Sequence, residues 1–389
     1  MRDNASVERF DVLVAGAGPA GAATAIHLAR AGARVLLAEK ERFPRDKPCG
    51  GGLTGRALRQ IPVDPSPVVE RSVDRFMLRL RYGPSFTRTH HEPLIQMTQR
   101  RRLDAFLAES AVEAGAELRQ QARVTGVEQD ATGVTAKVGG ITIRANVVVG
   151  ADGANGVVAR AAGLGESIEH GVALEGNVPL DRLRIEGLTH TAVIELATLA
   201  GGYGWVFPKG NHANLGVGGW GSEGPSLRAH LTRLAAEHDV PVDALTDVRG
   251  HRLPMRRLLV TDCHKGLSGA SPRAGRVLLV GDAAGLVDPL SGDGMYEAFV
   301  SARLAAEAIV TGELAGYDAA LSRALDHHAS ASWAAKRALD RHPRAVFAAA
   351  RAPGVFGVVA GLLCGEVGHP SEARGLARGP LRLIARLAA

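Results

Sequence analysis

From Phe10 to Glu39 the chain reads FDVLVAGAGPAGAATAIHLARAGARVLLAE. Phe10 to Ala15 is a short apolar run of buried-strand character, Pro19 to Arg30 is alanine-rich and helical, and Arg34 to Glu39 is a second apolar run ending in an acid. Gly16, Gly18 and Gly21 stand with Pro19 and Ala20 in the turn between strand and helix. Glycines there let the backbone turn tightly and approach a pyrophosphate held at the helix N-terminus. Glu39 can take two ribose hydroxyls, with Lys40 next to it. A glycine fingerprint alone is weak, because an ordinary strand-to-helix turn gives the same pattern. Strand, helix, second strand and terminal acid together predict a dinucleotide-binding β-α-β unit. Like-charge repulsion from Glu39 disfavours a 2′-phosphate, which leaves FAD or NAD as the ligand.

The remaining composition sets limits. At 389 residues, with 46% hydrophobic and 22% charged side chains, the chain is long enough for a nucleotide-binding domain and a second one. A net charge of +6 would suit an acidic ligand, an anionic membrane or nucleic acid. The basic residues are scattered, however, and with 4% aromatic residues there is little to stack on bases, so nucleic acid is not expected. Cys49, Cys263 and Cys364 are too far apart for a disulfide framework or a zinc site. The histidine pairs His90/His91 and His327/His328 lack ligand spacing, and no metal is expected. The polar first ten residues show no secretory signal, and a cytoplasmic location is expected, with peripheral contact at the inner membrane face left open. The apolar stretch Ala345 to Val367 is interrupted by Arg351 and Pro353 and reads as packed helices, not a membrane span.

Further along, Leu103, Phe106, Leu107 and Ala111 recur at helical spacing, and the segments near Val124, Val134 and Ile141 alternate like antiparallel strands. Asn146 to Gly150 and Arg276 to Val280 are buried-strand patterns. The second leads through a glycine-rich turn into a helix near Glu297 to Val310. Between them, Ala192 to Gly219 is strand-like, with Tyr203, Trp205 and Phe207 on one face. After Tyr317 the chain reads as helices.

Two later segments bear on the choice between FAD and NAD. Gly150-Ala151-Asp152-Gly153 and Gly281-Asp282-Ala283-Ala284-Gly285 each follow a strand. An aspartate in such a place is most often a helix cap. Taken together with the first unit, however, the segments resemble glutathione-reductase-type flavoproteins of the aromatic-hydroxylase branch. That resemblance implies FAD, with Asp282 on the ribityl chain and the following helix aimed at the flavin. It also places Arg100 and Val124 near the cofactor. The resemblance narrows to the geranylgeranyl reductase family through Lys47-Pro48-Cys49-Gly50-Gly51-Gly52, Tyr203-Gly204-Trp205-Val206-Phe207-Pro208-Lys209 and Pro289-Leu290-Ser291-Gly292-Asp293-Gly294. Gly156 departs from a serine usual in this branch, and Asp293 with Met295 stands where Glu and Ile are usual.

The resemblance implies an α/β protein built in three parts. Residues 1–75, 95–165 and 274–315 form a discontinuous Rossmann-type FAD-binding domain, 76–94 and 166–273 an antiparallel-sheet (α+β) substrate domain, and 316–389 a C-terminal helical region. It also implies saturation of prenyl carbon-carbon double bonds by hydride from reduced flavin, with NADPH, NADH or a ferredoxin-like protein as electron donor. Cys49, Gly50, Gly51, Asp152, Gly153, Gly281, Asp282, Pro289, Gly292, Gly294 and Met295 then surround the cofactor. Tyr203, Trp205 and Phe207 line a lipophilic slot, and Lys209 or Arg100 meets a polar head.

An isolated alkene is not electrophilic, so hydride transfer needs a proton to arrive first or together with it. Cys49 is the family-matched proton donor, since an ordinary thiol, titrating near about 8.5, is protonated at neutral pH. Lys47 would oppose this by favouring thiolate, and a small buried packing residue is the plainer role for Cys49. The rival activities are an aromatic hydroxylase or a flavin-dependent halogenase of the same fold. A noncatalytic flavin-bound prenyl carrier is a third. At the C-terminal end, Arg374, Arg378, Arg382 and Arg386 repeat beside Leu376, Leu381, Ile384 and Leu387, a pattern that suits either a membrane-surface helix or a solvated helix end.

Overall fold

The structure is a computed structural model that describes residues 7–163, 168–256 and 273–388; Cys263 lies outside the described residues. The architecture is α/β. Strand β1 (Glu8–Ala15) pairs in parallel with β2 (Val35–Ala38) on one side and β11 (Ile141–Gly150) on the other. The order across this sheet is β17 (Arg273–Ala274), β18 (Val277–Leu279), β11, β1, β2, β8 (Glu117–Arg119). Strands β9 (Val124–Asp130) and β10 (Gly133–Val138) extend it from β11 as antiparallel neighbours.

The sequence of β11 explains its double role. Its first half alternates buried and less buried residues, as a strand with one wet face does, and there it pairs with β10. Val147 to Gly150 are buried throughout, as a strand covered on both faces requires, and there it pairs in parallel with β1 and β18. Helices α1 (Pro19–Arg30), α3 (Arg100–Glu113) and α6 (Met295–Val310) pack together beside this sheet. Leu13, Leu36, Leu37 and Phe299 are fully buried, each contributing about 1.5–3 kcal/mol relative to exposure.

The second sheet runs β16 (Thr246–Arg256), β12 (Ile168–Pro179), β15 (His212–Trp220), β14 (Tyr203–Pro208), β13 (Thr191–Leu196), β5 (Arg75–Leu80), β6 (Ser85–Thr89). All its pairings are antiparallel except β13 with β5. One face packs on helix α5 (Leu227–Ala236) through Val206, Leu215, Val217, Leu231 and Leu234. The other face turns toward the nucleotide-binding sheet. A third, small sheet, β3 (Gly52–Thr54), β7 (Ile95–Met97) and β4 (Arg71–Val73), was not foreseen; it ties the glycine-rich loop at Gly50 to the strands on either side of β5 and β6.

Two short helices, α2 (Gly55–Leu58) and α4 (Val158–Ala161), follow β3 and β11. The C-terminal part is helical: α7 (Tyr317–Arg341), α8 (Pro343–Ala350), α9 (Val355–Cys364) and α10 (Arg378–Leu387). Helices α8 and α9 are bent by 87° at the Arg351–Gly354 break, and among the described residues no single helix is long and apolar enough to cross a membrane. Leu381, Ile384 and Leu387 are half-buried, Leu381 against Val355, Ala373 and Ala377, while Arg378, Arg382, Leu383 and Arg386 are exposed.

Candidate active site

A cavity of about 900 Å³ lies between the two large sheets. One end is lined by Gly16, Gly18, Pro19, Ala20, Glu39, Lys40, Val124, Asp152 and Gly153. The middle is formed by Cys49, Gly50, Gly51, Arg100, Asp282, Pro289, Gly292, Asp293, Gly294 and Met295, and the far end by Tyr203, Trp205 and Phe207. Three residues expected at the site, Gly21, Gly281 and Lys209, do not line this cavity.

The three fingerprint glycines separate by role. An added Cβ would fall 2.5 Å from the Ala151 carbonyl oxygen at Gly16, where φ is +101°, and 1.8 Å from the Gly16 oxygen at Gly21, so the turn itself demands glycine at both. At Gly18 the nearest atoms would be Nη2 of Arg45 and Nη2 of Arg100, at 3.7 and 3.8 Å. Packing does not demand glycine at that point, and two guanidinium groups face the open space before α1. They are held on one buried carboxylate. Arg100 donates from Nε (2.6 Å) and Nη2 (2.8 Å) to Asp104, and Arg45 from Nη1 (2.8 Å). Burial penalises the charge of Arg100, but Asp104 more than offsets this and holds the guanidinium above its usual range. Glu39 Oε2 accepts from the Ala17 N–H at 3.0 Å and from Arg45 Nη2 at 3.2 Å, and Arg45 Nε is buried without a partner. A helix N-terminus faced by two fixed arginines, with an acid at the strand end, fits the pyrophosphate and ribose of a dinucleotide. Arg101 and Arg102 are exposed, and Arg102 pairs with Glu70 at 3.0 Å.

The two motif aspartates differ. Asp152 Oδ2 accepts from the N–H groups of Val157 (2.6 Å) and Val158 (3.1 Å), so it caps the start of α4 while bordering the cavity. Its side chain fills the place where Gly156 would carry a Cβ, 2.1 Å from the Asp152 carboxyl carbon, which is why a serine does not fit at 156 in this chain. Asp282 instead faces the cavity, with Lys47 Nζ at 3.0 Å and His251 Nε2 at 3.6 Å. Burial raises its pKa, but Lys47 and then His251 more than offset this and hold the carboxyl well below the usual carboxylate range. Lys47 is therefore bound to Asp282.

The Cys49 loop is clamped on both sides. The Cys49 N–H donates to Glu175 Oε1 at 2.7 Å, its carbonyl accepts from Lys209 Nζ at 2.9 Å, and its Sγ accepts from the Gly51 N–H at 3.4 Å. Burial raises the pKa of Glu175, and Lys209 opposes that rise. Lys209 is thus a buried support of the loop, not a group awaiting a polar head.

On the far side, Tyr203, Trp205 and Phe207 present one face of β14, with ring centroids 6.0 and 6.3 Å apart. Trp205 Nε1 donates to Asn214 Oδ1 at 2.7 Å, which fixes the indole. Phe76, Leu78, Phe86 and Ile194 of the same sheet and Phe356, Val359 and Leu363 of α9 continue an apolar arm.

The FAD binding domain family matches residues 9–311. Digeranylgeranylglycerophospholipid reductase 1 of Methanopyrus kandleri is 33% identical, over 77% of this chain and 80% of that protein. Menaquinone reductase of Mycolicibacterium smegmatis is 32% identical, over 82% of this chain and 81% of its own. The crystal structure of a geranylgeranyl bacteriochlorophyll reductase-like protein from Thermoplasma acidophilum superposes with a TM-score of 0.73 at 25% identity, covering 86% of this chain and 88% of that one. The chain belongs to the geranylgeranyl reductase family of FAD-dependent oxidoreductases. As a member of the geranylgeranyl reductase family it is an enzyme that binds FAD.

Sequence reasoning missed several residues of this reductase-family site. Arg45 stands only six positions beyond Glu39, and a search for cations able to reach that acid would have found it. Glu175 and His251 carry no local signal, because their strands meet the loop only after folding. Arg56, Asp288, Asp293, Glu297 and His328 form a further group beside the cavity, with Asp288 and Glu297 buried, the other three half-buried, and Arg56 and Asp293 lining it. Asp288, Glu297 and His328 each offer an atom within 4.8 Å of the others, as metal ligands do. The Arg56 guanidinium lies against both Glu297 and the His328 ring and already supplies the positive charge there, so we assign no metal.

Proposed function

We propose that this chain saturates carbon-carbon double bonds of a prenyl chain. The observation that supports this reading most is the continuity of the cavity, which runs from the arginine-faced helix end, past Cys49, into an apolar arm walled by Phe76, Leu78, Phe207 and Phe356. Such a shape suits a long hydrocarbon with one segment brought to the cofactor. FAD, reduced by NADPH, NADH or a ferredoxin-like protein, supplies the hydride. Asp282, with Lys47 paired to it, and the start of α6 would hold the ribityl chain and the flavin edge. Tyr203, Trp205 and Phe207 orient the chain and exclude water. The Cys49 thiol, held by Glu175 and Lys209 through its own backbone, gives the proton that makes the alkene electrophilic. Because the exposed face of α10 carries Arg378, Arg382 and Arg386 around Leu383, the protein also sits against an anionic membrane surface. Cosedimentation with phosphatidylglycerol vesicles but not with phosphatidylcholine vesicles tests that contact; binding to neither, or equal binding to both, refutes it.

The fold alone also serves other flavin chemistry, so the test must separate reduction from oxygenation. Enzyme reduced anaerobically with dithionite is mixed with geranylgeranyl diphosphate. Flavin reoxidation with a product heavier by one dihydrogen per turnover supports the reading, and reoxidation only when oxygen is admitted points to a hydroxylase or halogenase.

A further inference from the structure

The alkene gains a proton in every turnover, and a thiol that gives one must recover it. The Lys47 ammonium is held by Asp282, and Lys209 is fixed on the Cys49 carbonyl. The remaining acids at the cavity lie at the start of α6. Asp293 lines the cavity, with Oδ1 accepting from the Met295 N–H at 2.8 Å and Oδ2 buried without a hydrogen-bond partner. One turn on, Glu297 is 5% exposed, and its Oε2 is likewise buried and unpartnered. Arg56 Nη2 stands between them, 4.0 Å from Asp293 Oδ2 and 3.8 Å from Glu297 Oε1. Behind Glu297, Asp288 and His328 bring one atom each within 4.8 Å of it and of each other, and the side chain of His328 keeps 20% exposure. Toward the substrate, the Tyr203 hydroxyl donates to the Ser291 carbonyl, next to Gly292, and Tyr203, Asp293 and Cys49 line the same cavity.

We propose that Glu297 and Asp293 form a buried proton store that feeds the acid step of the reaction from the α6 side of the cavity, with His328 as its link to solvent. The inference rests on the reductase reading. Three carboxyls share one guanidinium, so they cannot all be ionised at low cost. Burial, opposed by Arg56, pushes Glu297 well above the usual carboxylate range, and burial, again opposed by Arg56, pushes Asp293 up. Asp288 goes the other way: His328, Arg56, Ser332 and the Ser291 N–H more than offset its burial. Burial and Arg56 lower His328 to about 4, so its ring is neutral at pH 7 and can take up a proton and pass it on. Other groups facing the cluster are the Tyr296 ring, under the Arg56 guanidinium at 4.6 Å, Lys336, which interacts with Asp288, and His327 and His369, which both act to lower His328.

The balance per double bond is two electrons and two hydrogens. Bound and two-electron-reduced FAD would supply a hydride to one carbon, and the other takes a proton from Cys49. Asp293 returns that proton to Cys49 across the cavity both line, Glu297 reloads Asp293 and becomes a carboxylate paired with Arg56, and a solvent proton entering at His328 restores Glu297.

The test uses the FAD-loaded protein and its Glu297→Gln, Glu297→Asp and Asp293→Asn variants. Infrared spectra in H₂O and D₂O should show a protonated-carboxyl stretch at neutral pH in the wild type that is lost in Glu297→Gln and kept in Asp293→Asn. Repeated turnover of geranylgeranyl diphosphate with excess dithionite should fall about a hundredfold in Glu297→Gln. The wild-type rate should fall as pH rises through the Glu297 titration, a limb absent in Glu297→Gln and restored in Glu297→Asp. FAD affinity and the flavin spectrum should match wild type in every variant used. A Glu297→Gln protein with the wild-type carboxyl band, or with wild-type rate and pH profile, would overturn the store. Should Glu297→Gln not fold, Asp293→Asn decides, and wild-type turnover and pH profile in it would overturn the route. A wild type that shows the band but reduces no alkene refutes the reductase reading and leaves the infrared result standing.

Discussion

Gly18 and the arginines facing it set what the FAD site requires of single residues. Arg45 holds Glu39 and Asp104 together across the helix end, and a charge-assisted hydrogen bond of this kind contributes about 1.5–3 kcal/mol. Arg45→Ala should therefore weaken FAD binding by roughly 10- to 100-fold in a flavin-fluorescence titration, whereas the exposed Arg101→Ala should leave it unchanged. Equal affinity in both variants would remove Arg45 from the site. Cys49→Ala makes the opposite prediction. The loop is held through backbone groups of residue 49, so FAD binding should persist while alkene reduction falls by about 10²–10⁴, the usual contribution of a general acid. At this scale the sequence was only partly legible. The glycines, Glu39, Cys49 and Asp282 are visible because each belongs to a short contiguous motif. Arg45 was within local reach of Glu39 but belongs to no motif, Glu175 and Glu297 act across distances in sequence that no local pattern records, and the Lys47–Asp282 pair joins residues 235 positions apart.

Elements show a different balance. The β-α-β unit, the antiparallel strands from Val124 and the aromatic strand at Tyr203 follow from periodicity alone, because burial on one or both faces writes itself into the residue pattern. The small sheet of β3, β4 and β7 was not legible: three-residue strands carry too little period, and they exist because Gly52–Thr54 and Arg71–Val73 find the same partner, β7. The turn into α4 is a place where a departure from the family pattern has a physical cause. Gly156→Ser would put its Cβ 2.1 Å from the Asp152 carboxyl carbon, displace the cap and cost about 1–3 kcal/mol. Thermal unfolding should shift down accordingly, and an unchanged melting temperature would mean that Asp152 does not occupy that space.

Two histidines also carry a pH response. Burial, with help from Arg79, lowers His238 beyond α5 to about 4, and burial and Arg56 lower His328 on α7 to about 4. Unfolded histidine titrates near about 6.5. Below that value the unfolded chain binds protons that these folded sites refuse, so their contribution is complete above pH about 6.5 and is lost as pH falls toward about 4. Melting temperatures between pH 7 and 4.5 should drop in the wild type and drop less steeply in His238→Gln; parallel curves would contradict the assignment.

Over the whole molecule, the cavity links parts of the chain that the sequence presents separately. The nucleotide-binding sheet supplies the cofactor end, β14 and its neighbours the aromatic wall, and α9 the outer part of the apolar arm. The helical C-terminal region carried no transferable motif, and its contribution of Phe356, Val359 and Leu363 to the cavity follows only from the packing of α9 against β5 and β13 residues. Because the reading depends on that continuity, narrowing the arm should discriminate by substrate length. Leu363→Trp should impair turnover of a C20 prenyl diphosphate more than of a C10 one, measured as the ratio of kcat/KM values, and an unchanged ratio would place the substrate elsewhere.

The most direct measurement of the central claim is anaerobic single turnover of the dithionite-reduced, FAD-loaded enzyme with geranylgeranyl diphosphate and, in parallel, a menaquinone, following flavin absorbance and product mass, then repeating with Cys49→Ala. The account predicts flavin reoxidation with a mass gain of one dihydrogen per turnover on at least one of the two substrates, lost in the Cys49 variant; a flavin that stays reduced until oxygen is admitted, and then oxidises rapidly, would contradict it.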